Sequence, residues 1–323
     1  MNEFELIRAY FASQPVARAD VVVGIGDDAA VLAPPAGRRL AVTTDVLVEG
    51  THFLPGADPE ALGHKALAVN LSDLAAMGAE PAWFTLNLTL PRADEGWLKK
   101  FCAGLYALAR RYNVQLVGGN TARGPLAIAI EAHGFVPEGE TLRRSGARAG
   151  DRLYVTGTLG DAALALKQRL GTLRLPERDL EALAKRLDCP EPRVREGLLL
   201  RGVASSAIDI SDGLLADLGH LLEASGMGAQ LRLEQLPLSP AYRAHLDKAG
   251  WEPALGGGED YELCFTVSPE RAQAFARLNL PAGAAPIGDI TAEPGLRIFD
   301  AQGAPYPARS AGHNHFADRR DKP

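Results

Sequence analysis

The pattern of apolar and polar positions is most informative over residues 41–53, AVTTDVLVEGTHF, where β-branched residues predict a strand. Asp45 and Glu49 interrupt this strand, and at a period of two residues they share a side with Leu47 and Thr51. A strand with one solvated face would explain both acids. A site for polar chemistry would explain them equally well, and this segment alone does not decide between the two.

A helix that is apolar on nearly all sides follows the strand. Asp58 suits the N-cap, Pro59 the first helical position and Gly78 the exit, so a helix is predicted between them. Asp73 has Val69 four residues before it and is therefore predicted to point into the protein. A buried carboxylate must be paired or bound to a metal, and we favour a functional role over a structural cap or ion pair.

Strand-like and helix-like segments alternate in both halves of the chain, which predicts an α/β or α+β layered fold. A short strand over 114–117 is predicted to stop at Gly118, and another is predicted over 206–213. The Gly- and Arg-rich stretch from 137 to 151 predicts a boundary between a first domain, 1–145, and a second domain, 146–323.

The segment Gly24-Ile25-Gly26-Asp27-Asp28 imitates the glycine-rich turn of a dinucleotide site. We reject that interpretation because two carboxylates would stand where a pyrophosphate lies, and Pro34-Pro35 prevents the long helix that should hold it. An Asp-Asp turn suits cations better, and a solvated turn is the alternative.

Two further segments carry candidate chemistry in the second half. A run of glycines, 256–258, is predicted to bring three acids at 259, 260 and 262 to one place. Arg143-Arg144 is either a phosphate clamp or a solvated linker pair. His313 and His315 could bind a metal, although a disordered end is the more common explanation for such a tail.

Composition narrows the class of protein. A chain of 323 residues exceeds what one hydrophobic core usually serves, and a net charge of -6 without a dense Lys/Arg run argues against nucleic acid. The three cysteines lie far apart, which argues against a disulfide framework and fits a reducing cytoplasm. No basic leader or membrane-length apolar stretch is visible, so no membrane partner is expected.

Several acids fall at strand ends, tight turns or the apolar helix: Asp27, Asp28, Asp45, Asp73, Asp209 and Asp212. If they converge, divalent cations would be needed to neutralise their repulsion. Oxygen ligands without zinc spacing select Mg²⁺, which bridges carboxylates to substrate phosphates. The chain lacks a GxxxxGK[ST] loop and the HRD and DFG motifs of protein kinases, so the pattern predicts phosphoryl-transfer or phosphate-ester chemistry outside the common nucleotide machines.

Seven motifs, in chain order, resemble the thiamine-monophosphate kinase family of the aminoimidazole ribonucleotide synthetase-like superfamily: GIGDDAA, TTDVLVEGTHF, KALAVNLSDLAAMGA, GGNTARGPL, RSGARAGD, AIDISDGL and GGGEDYELCFTV. The resemblance implies an N-terminal α/β domain that dimerises through its sheet and a C-terminal α/β domain that completes the active site. It also implies an ATP site near the dimer interface.

The resemblance assigns roles to individual residues. It implies several Mg²⁺ ions held by Asp28, Thr43, Thr44, Asp45, Asp73, Asn120, Asp209 and Asp212. It gives ATP to Gly119, Asn120, Arg144 and Ser211, and thiamine phosphate to His52, Glu259 and His313. Asp45, Asp73 and Asp212 are the implied catalytic residues.

The implied reaction is direct in-line transfer of the ATP γ-phosphoryl group to thiamine phosphate. The chain departs from the family pattern at Asn120, where GGDT is the commoner motif, and at His313, where an aromatic residue is usual. Two other hypotheses remain: an Mg²⁺-dependent phosphohydrolase, and a nucleotide-binding module without catalysis.

His52 raises a geometric question. A straight strand at about 3.3 Å per residue would place His52 roughly 23 Å from Asp45, which is too far for one small site. Either Gly50 turns the chain back, or a given site takes this histidine from the other subunit of a dimer. We favour the turn.

Overall fold

The computed structural model describes residues 3–307, and the side chains of residues 5–307. The strands are β1 (Val21–Val23), β2 (Val31–Leu32), β3 (Arg38–Val48), β4 (Glu80–Leu90), β5 (Gln115–Arg123), β6 (Ala127–Pro137), β7 (Arg152–Thr156), β8 (Ser206–Asp209), β9 (Gly228–Arg232), β10 (Leu263–Val267), β11 (Ala284–Thr291) and β12 (Gly295–Phe299).

The α-helices are α1 (Glu3–Leu6), α2 (Pro59–Ala76), α3 (Glu95–Tyr112), α4 (Asp161–Arg169), α5 (Glu177–Asp188), α6 (Val194–Leu200), α7 (Leu214–Ser225), α8 (Pro240–Arg243), α9 (Leu246–Ala249), α10 (Glu252–Gly256) and α11 (Ala272–Phe275). A π-helical turn over Ile7–Ala12 and two 3₁₀ turns, Leu233–Gln235 and Pro269–Arg271, complete the set.

The chain forms two compact units. The first consists of the residues up to Thr141 together with Asp188–Arg201, and the second consists of Leu142–Leu187 together with the residues from Gly202 onward. The mixed α/β architecture predicted from the sequence is confirmed. The domain boundary between residues 145 and 146 stays a prediction.

The first unit is built on a four-stranded sheet in the order β3-β6-β4-β5. β3 and β4 pair antiparallel with β6, while β4 and β5 are parallel. Helix α2 packs on the sheet, mainly on β3 and β6, and on α3. β3 is an edge strand whose Leu40, Val42 and Val46 side chains are about half exposed, at 47%, 55% and 48%.

The predicted helix between Asp58 and Gly78 is confirmed as α2. The Asp58 carboxylate accepts a hydrogen bond from the Ala61 backbone N–H, Pro59 is the first residue, and Gly78 leaves the helix at a φ of 64°. A short polar side chain at the N-cap and a residue that tolerates positive φ at the exit set both ends locally.

Three strand predictions were wrong in extent. β3 ends at Val48 instead of continuing to Phe53, and the strand predicted over 206–213 ends at Asp209. In contrast, β5 passes through the glycines where it was predicted to stop and continues to Arg123. Gly119 permits this extension because a Cβ there would overlap the Leu86 carbonyl of neighbouring β4.

The second unit is built on a six-stranded sheet in the order β12-β9-β11-β7-β10-β8. All of its pairs are antiparallel except β12 with β9. The core packs apolar residues of the strands against α4 and α7, including the fully buried Leu153, Leu164 and Leu218. At the β8 edge, the Ala207 N–H donates to the Arg143 carbonyl, so the Arg143 segment covers that edge.

Over residues 3–307, none of the helices is long and apolar enough to span a bilayer.

Candidate functional site

Thr43 and Asp73 meet in the first unit. The Thr43 hydroxyl on β3 donates to the Asp73 carboxylate on α2, and both residues are half-buried. The strand and helix therefore bring together two oxygen donors that are 30 residues apart in the sequence. Asp73 is only half-buried rather than buried as predicted, so its carboxylate retains some access to solvent.

The three neighbouring site residues of β3 do not share one face. Asp45 is half-buried and alternates onto the same side as Thr43, whereas Thr44 is exposed on the other side. The Thr44 hydroxyl donates to the Ile130 carbonyl of β6 at 3.1 Å. The side chains of Thr43 and Asp45 are thus available to one site, and the Thr44 side chain faces away from it.

Asn70 lies one turn before Asp73 on α2 and is fully buried. Its amide nitrogen donates to the Ala66 carbonyl at 3.0 Å, and its Oδ1 atom has no hydrogen-bond partner among the described residues. A buried acceptor without a partner is costly. An unsatisfied oxygen therefore lies one turn from Asp73 in α2.

The Asp-Asp turn is exposed, and so are Gly119 and Asn120 of β5. Asp28 donates its backbone N–H to the Asp27 carboxylate at 2.9 Å, in a turn that follows Gly26 at a φ of 127°. Asn120 is exposed on β5, in register with Asn87 of β4. Gly119 was assigned to ATP by resemblance, and its absent side chain also has a structural reason, the close approach of β4.

His52 lies in a turn, as we favoured, and not on an extended strand. Gly50 has a φ of 80°, the Gly50 N–H donates to the Phe53 carbonyl, and the His52 N–H donates back to the Val48 carbonyl. The His52 ring accepts at Nδ1 from the Val48 N–H at 3.0 Å. The ring proton is therefore on Nε2, which makes Nε2 a donor.

A cavity of about 260 Å³ opens beside this turn, in the first unit. Its walls are mainly apolar and aromatic, and they include Phe53, Leu62, Leu90, Trp97 and Leu126. Glu49 also lines it. The sequence did not reveal this cavity, since its walls come from five separate stretches of the chain.

In the second unit, Asp217 fixes the turn that carries Ser211 and Asp212. The backbone N–H groups of both residues donate to the same Asp217 oxygen, each at 3.0 Å. Asp217 is buried in the first turn of α7, and burial raises its pKa to about 6 even though both N–H groups favour the ionised form. The turn is therefore held by one side chain, which comes five or six residues later in the sequence.

Ser211 and Glu259, assigned to ATP and to thiamine phosphate, are joined through the backbone. The Glu259 N–H donates to the Ser211 carbonyl at 2.8 Å. Gly213, at a φ of 110°, lets the two segments approach, because a Cβ there would stand 2.8 Å from the Gly256 carbonyl carbon. Ser211 and Glu259 therefore lie on adjoining loops of this unit.

The prediction that three acids converge after the glycine run was wrong. Glu259 is half-exposed, whereas Asp260 and Glu262 are buried, at 1% and 0% exposed. Glu259 therefore differs in exposure from Asp260 and Glu262, in a segment where Glu259 and Tyr261 adopt positive φ angles of 74° and 50°.

Two further predicted site residues of this unit, Asp209 and Arg144, belong to β8 and to the segment that covers its edge. Asp209 ends β8 and is buried, at 5% exposed. Arg144 is exposed, and its backbone carbonyl accepts from the Ser225 hydroxyl at 3.1 Å. His313 lies outside the described residues.

The metal prediction is supported only by donor chemistry. Among residues 5–307, no group of three or more His, Cys, Asp or Glu side chains stands ready to hold a metal ion. The oxygen donors present, chiefly Asp73 with Thr43 in one unit and Asp209 near Asp212 in the other, are the kind that Mg²⁺ prefers. Each unit therefore offers only part of a coordination shell.

Comparison with known proteins assigns the chain to a class. Residues 26–136 match the AIR synthase related protein N-terminal domain, and residues 148–301 match the corresponding C-terminal domain. Solved hydrogenase maturation protein HypE, at 20% identity and a TM-score of 0.77, shares the fold. The chain is thus a two-domain α/β protein of the AIR synthase related class.

Within this class, several relatives of 38% to 49% identity share one activity in their names. The thiamine-monophosphate kinase of Escherichia coli strain K12 is 49% identical over 98% of each chain. The crystal structure of the Stenotrophomonas maltophilia K279a thiamine-monophosphate kinase is 45% identical, with a TM-score of 0.83 over 91% of this chain and 94% of that one. The chain belongs to the thiamine-monophosphate kinase family.

A further solved relative, AaThiL complexed with AMPPCP and TMP, is 34% identical. Its TM-score is 0.77, and the similarity covers 90% of this chain and 92% of that one.

Proposed function

We propose that this protein transfers the γ-phosphoryl group of ATP to thiamine phosphate, giving thiamine diphosphate and ADP. The observation that carries the proposal is its similarity, over 90% of its length, to AaThiL complexed with AMPPCP and TMP. AMPPCP is an ATP analogue and TMP stands for thiamine monophosphate. That relative therefore binds a donor analogue and the acceptor of this reaction.

For ATP we propose Gly119, Asn120, Arg144 and Ser211. The exposed guanidinium of Arg144 suits phosphate oxygens, which it can bind with two parallel hydrogen bonds. The Asp217 carboxylate holds the Ser211 turn by accepting a hydrogen bond from the Ser211 backbone N–H.

For thiamine phosphate we propose His52, Glu259 and His313. The Nε2 donor of His52 matches a phosphate oxygen, and the Glu259 carboxylate can accept from the amino group of the pyrimidine ring. His313 follows from the motif resemblance alone.

We further propose Mg²⁺ as the cofactor, held by Asp28, Thr43, Thr44, Asp45, Asp73, Asn120, Asp209 and Asp212. Because the Thr44 side chain faces the other side of β3, that residue can contribute only through its backbone. These oxygen donors would hold the Mg²⁺, which would neutralise the phosphate charges.

In the proposed in-line reaction, the protein positions two anions. The acceptor phosphate has a second pKa near 6, so its oxygen is already an anion at neutral pH and no general base is needed. The leaving group is ADP. The chain contributes the orientation of both phosphates, and positioning together with electrostatic stabilisation is the main source of rate in phosphoryl transfer.

One assay tests the proposal. The purified protein is incubated with ATP, Mg²⁺ and thiamine phosphate, and we expect thiamine diphosphate and ADP in equal amounts. Release of inorganic phosphate without thiamine diphosphate would favour the phosphohydrolase, and ATP binding without any product would favour the non-catalytic module. Omission of Mg²⁺ is expected to abolish the reaction.

We also propose that the protein acts in the cytoplasm as a homodimer that associates through the sheet of its first domain, residues 1–145. The half-exposed apolar residues of edge strand β3 support the dimer. The three cysteines are free, which fits a reducing compartment. Cell fractionation would test the cytoplasmic location, and light scattering would test the homodimer.

A further inference from the structure

A buried ionic cluster lies directly behind the Glu259 loop. Glu262 is fully buried, and its carboxylate accepts from the Arg186 guanidinium (Nη2) and from the Thr156 hydroxyl, each at 2.7 Å. The carboxylate fills the space beside Gly157, where a Cβ would overlap it. Asp260 is also buried, and both of its oxygens accept from the Gly160 N–H at 2.9 Å. Two buried acids and one half-buried cation thus lie close together in the second unit.

Stability alone does not explain this cluster. Removing charges from water costs more than an ion pair usually returns, and apolar residues of similar size often serve a core as well. Arg186 also carries an unpaired donor, because its buried Nε atom has no hydrogen-bond partner among the described residues. A role beyond core packing is therefore needed to account for a charged group in this place.

The strained loop supplies such a role. Glu259 and Tyr261 both have positive φ angles, which are unfavourable for residues with side chains and persist only where surrounding contacts enforce them. On one side, the N–H groups of Glu259 and Tyr261 donate to the Ser211 and Ile210 carbonyls. On the other side, Arg186 donates to the Asp260 carbonyl between them at 3.3 Å.

Arg186 contacts three parts of the surroundings through one nitrogen. Its Nη2 atom reaches the Thr158 carbonyl at 3.3 Å as well as the Asp260 carbonyl and the Glu262 carboxylate. It therefore links the end of β7, through Thr158, to the backbone of the loop. Lys185, the neighbouring residue on helix α5, is exposed to solvent.

We propose that Arg186 is a positioning residue for thiamine phosphate binding, which holds the strained loop so that Glu259 faces the acceptor. This inference rests on the proposed function of Glu259. The Glu259 carboxylate makes the contact with substrate, and Arg186 acts through the loop. Lysine cannot replace Arg186, because its Nζ atom ends one bond short of Nη2, the atom that makes all three contacts.

The experiment compares Arg186→Lys, which keeps the charge, with Lys185→Gln, which removes an exposed charge from the same helix. For Arg186→Lys we expect the KM for thiamine phosphate to rise about tenfold, with kcat and the KM for ATP within about twofold of the parent. Calorimetry should give the same loss in the Kd of thiamine phosphate. Lys185→Gln should match the parent in all these values.

A double-mutant cycle with Glu259→Gln separates positioning from a general structural effect. If Arg186 acts through Glu259, adding Arg186→Lys to Glu259→Gln should change the KM for thiamine phosphate by less than about twofold. Additive effects would overturn the proposal. It would also be overturned by an unchanged KM in Arg186→Lys, or by equal losses for ATP and thiamine phosphate.

Failure of the underlying function has a different signature. A parent protein that makes no thiamine diphosphate would overturn the proposed function and this inference with it. An active parent with an unaffected Arg186→Lys variant would overturn the inference alone.

Discussion

At the scale of single residues, the pairing of Thr43 with Asp73 carries the strongest functional expectation. Asp73→Asn preserves the shape of the side chain and can keep the hydrogen bond from Thr43, but it removes a negative charge from the proposed metal site. We expect kcat to fall by at least about a hundredfold with little change in thermal stability. Steady-state kinetics with saturating ATP and thiamine phosphate, together with thermal melts, would measure both.

Glu60→Gln is the matched control, because Glu60 is an exposed acid in the first turn of the same helix. It should leave kcat unchanged. An Asp73→Asn variant with the turnover of the parent would remove Asp73 from the catalytic set.

Asn120 gives a second residue-scale prediction, since it offers a cation an amide oxygen without charge where the family motif commonly has Asp. Asn120→Asp is expected to lower the Mg²⁺ concentration for half-maximal activity by about tenfold, whereas Asn120→Ala should raise it. Magnesium titrations at fixed ATP would decide this. The same Mg²⁺ requirement in all three proteins would show that residue 120 does not contact the metal.

At the scale of elements, helix α7 and the turn before it depend on Asp217. Asp217→Ala would leave the backbone N–H groups of half-buried Ser211 and Asp212 without this acceptor. We expect a loss of about 2 kcal/mol in the free energy of unfolding and a higher KM for ATP. Asp217→Asn retains an acceptor oxygen at nearly the same place and should keep most of both properties.

Urea denaturation and steady-state kinetics on the two variants provide the comparison. An Asp217→Ala variant as stable as Asp217→Asn would mean that other groups or water hold the turn.

The elements also show which features were predictable from sequence. Asp58, Pro59 and Gly78 define α2 because caps act through local geometry. The course of β5 through Gly119 and the positive φ of Glu259 and Tyr261 depend on contacts with distant segments, β4 and the Ser211 loop. For the same reason, the motifs could single out Glu259 as a site residue, but not Arg186 behind it.

At the scale of the whole molecule, composition and motif order predicted the α/β class and the family. Local sequence patterns did not predict how the chain divides between the two compact units. The chain returns to the first unit over Asp188–Arg201, after most of α5 has been built into the second. Gly197 of α6 lies so close to α2 that a Cβ would overlap the Ala75 carbonyl. This return depends on the packing of α6 against α2. The sequence does not reveal that packing, because Gly197 lies in an ordinary amphipathic stretch.

The proposed dimer supplies the last prediction, because the exposed face of edge strand β3 is apolar where a lone edge strand usually carries charge. Val42→Lys places an ammonium in the middle of that face, and burying it unpaired in an interface would cost several kcal/mol. We expect a monomer by light scattering with an unchanged circular dichroism spectrum. Val22→Lys is the control, since Val22 is 64% exposed on β1, outside that strand, and its variant should keep the parent mass. If Val42→Lys also keeps that mass, the sheet face of β3 is not where two copies associate.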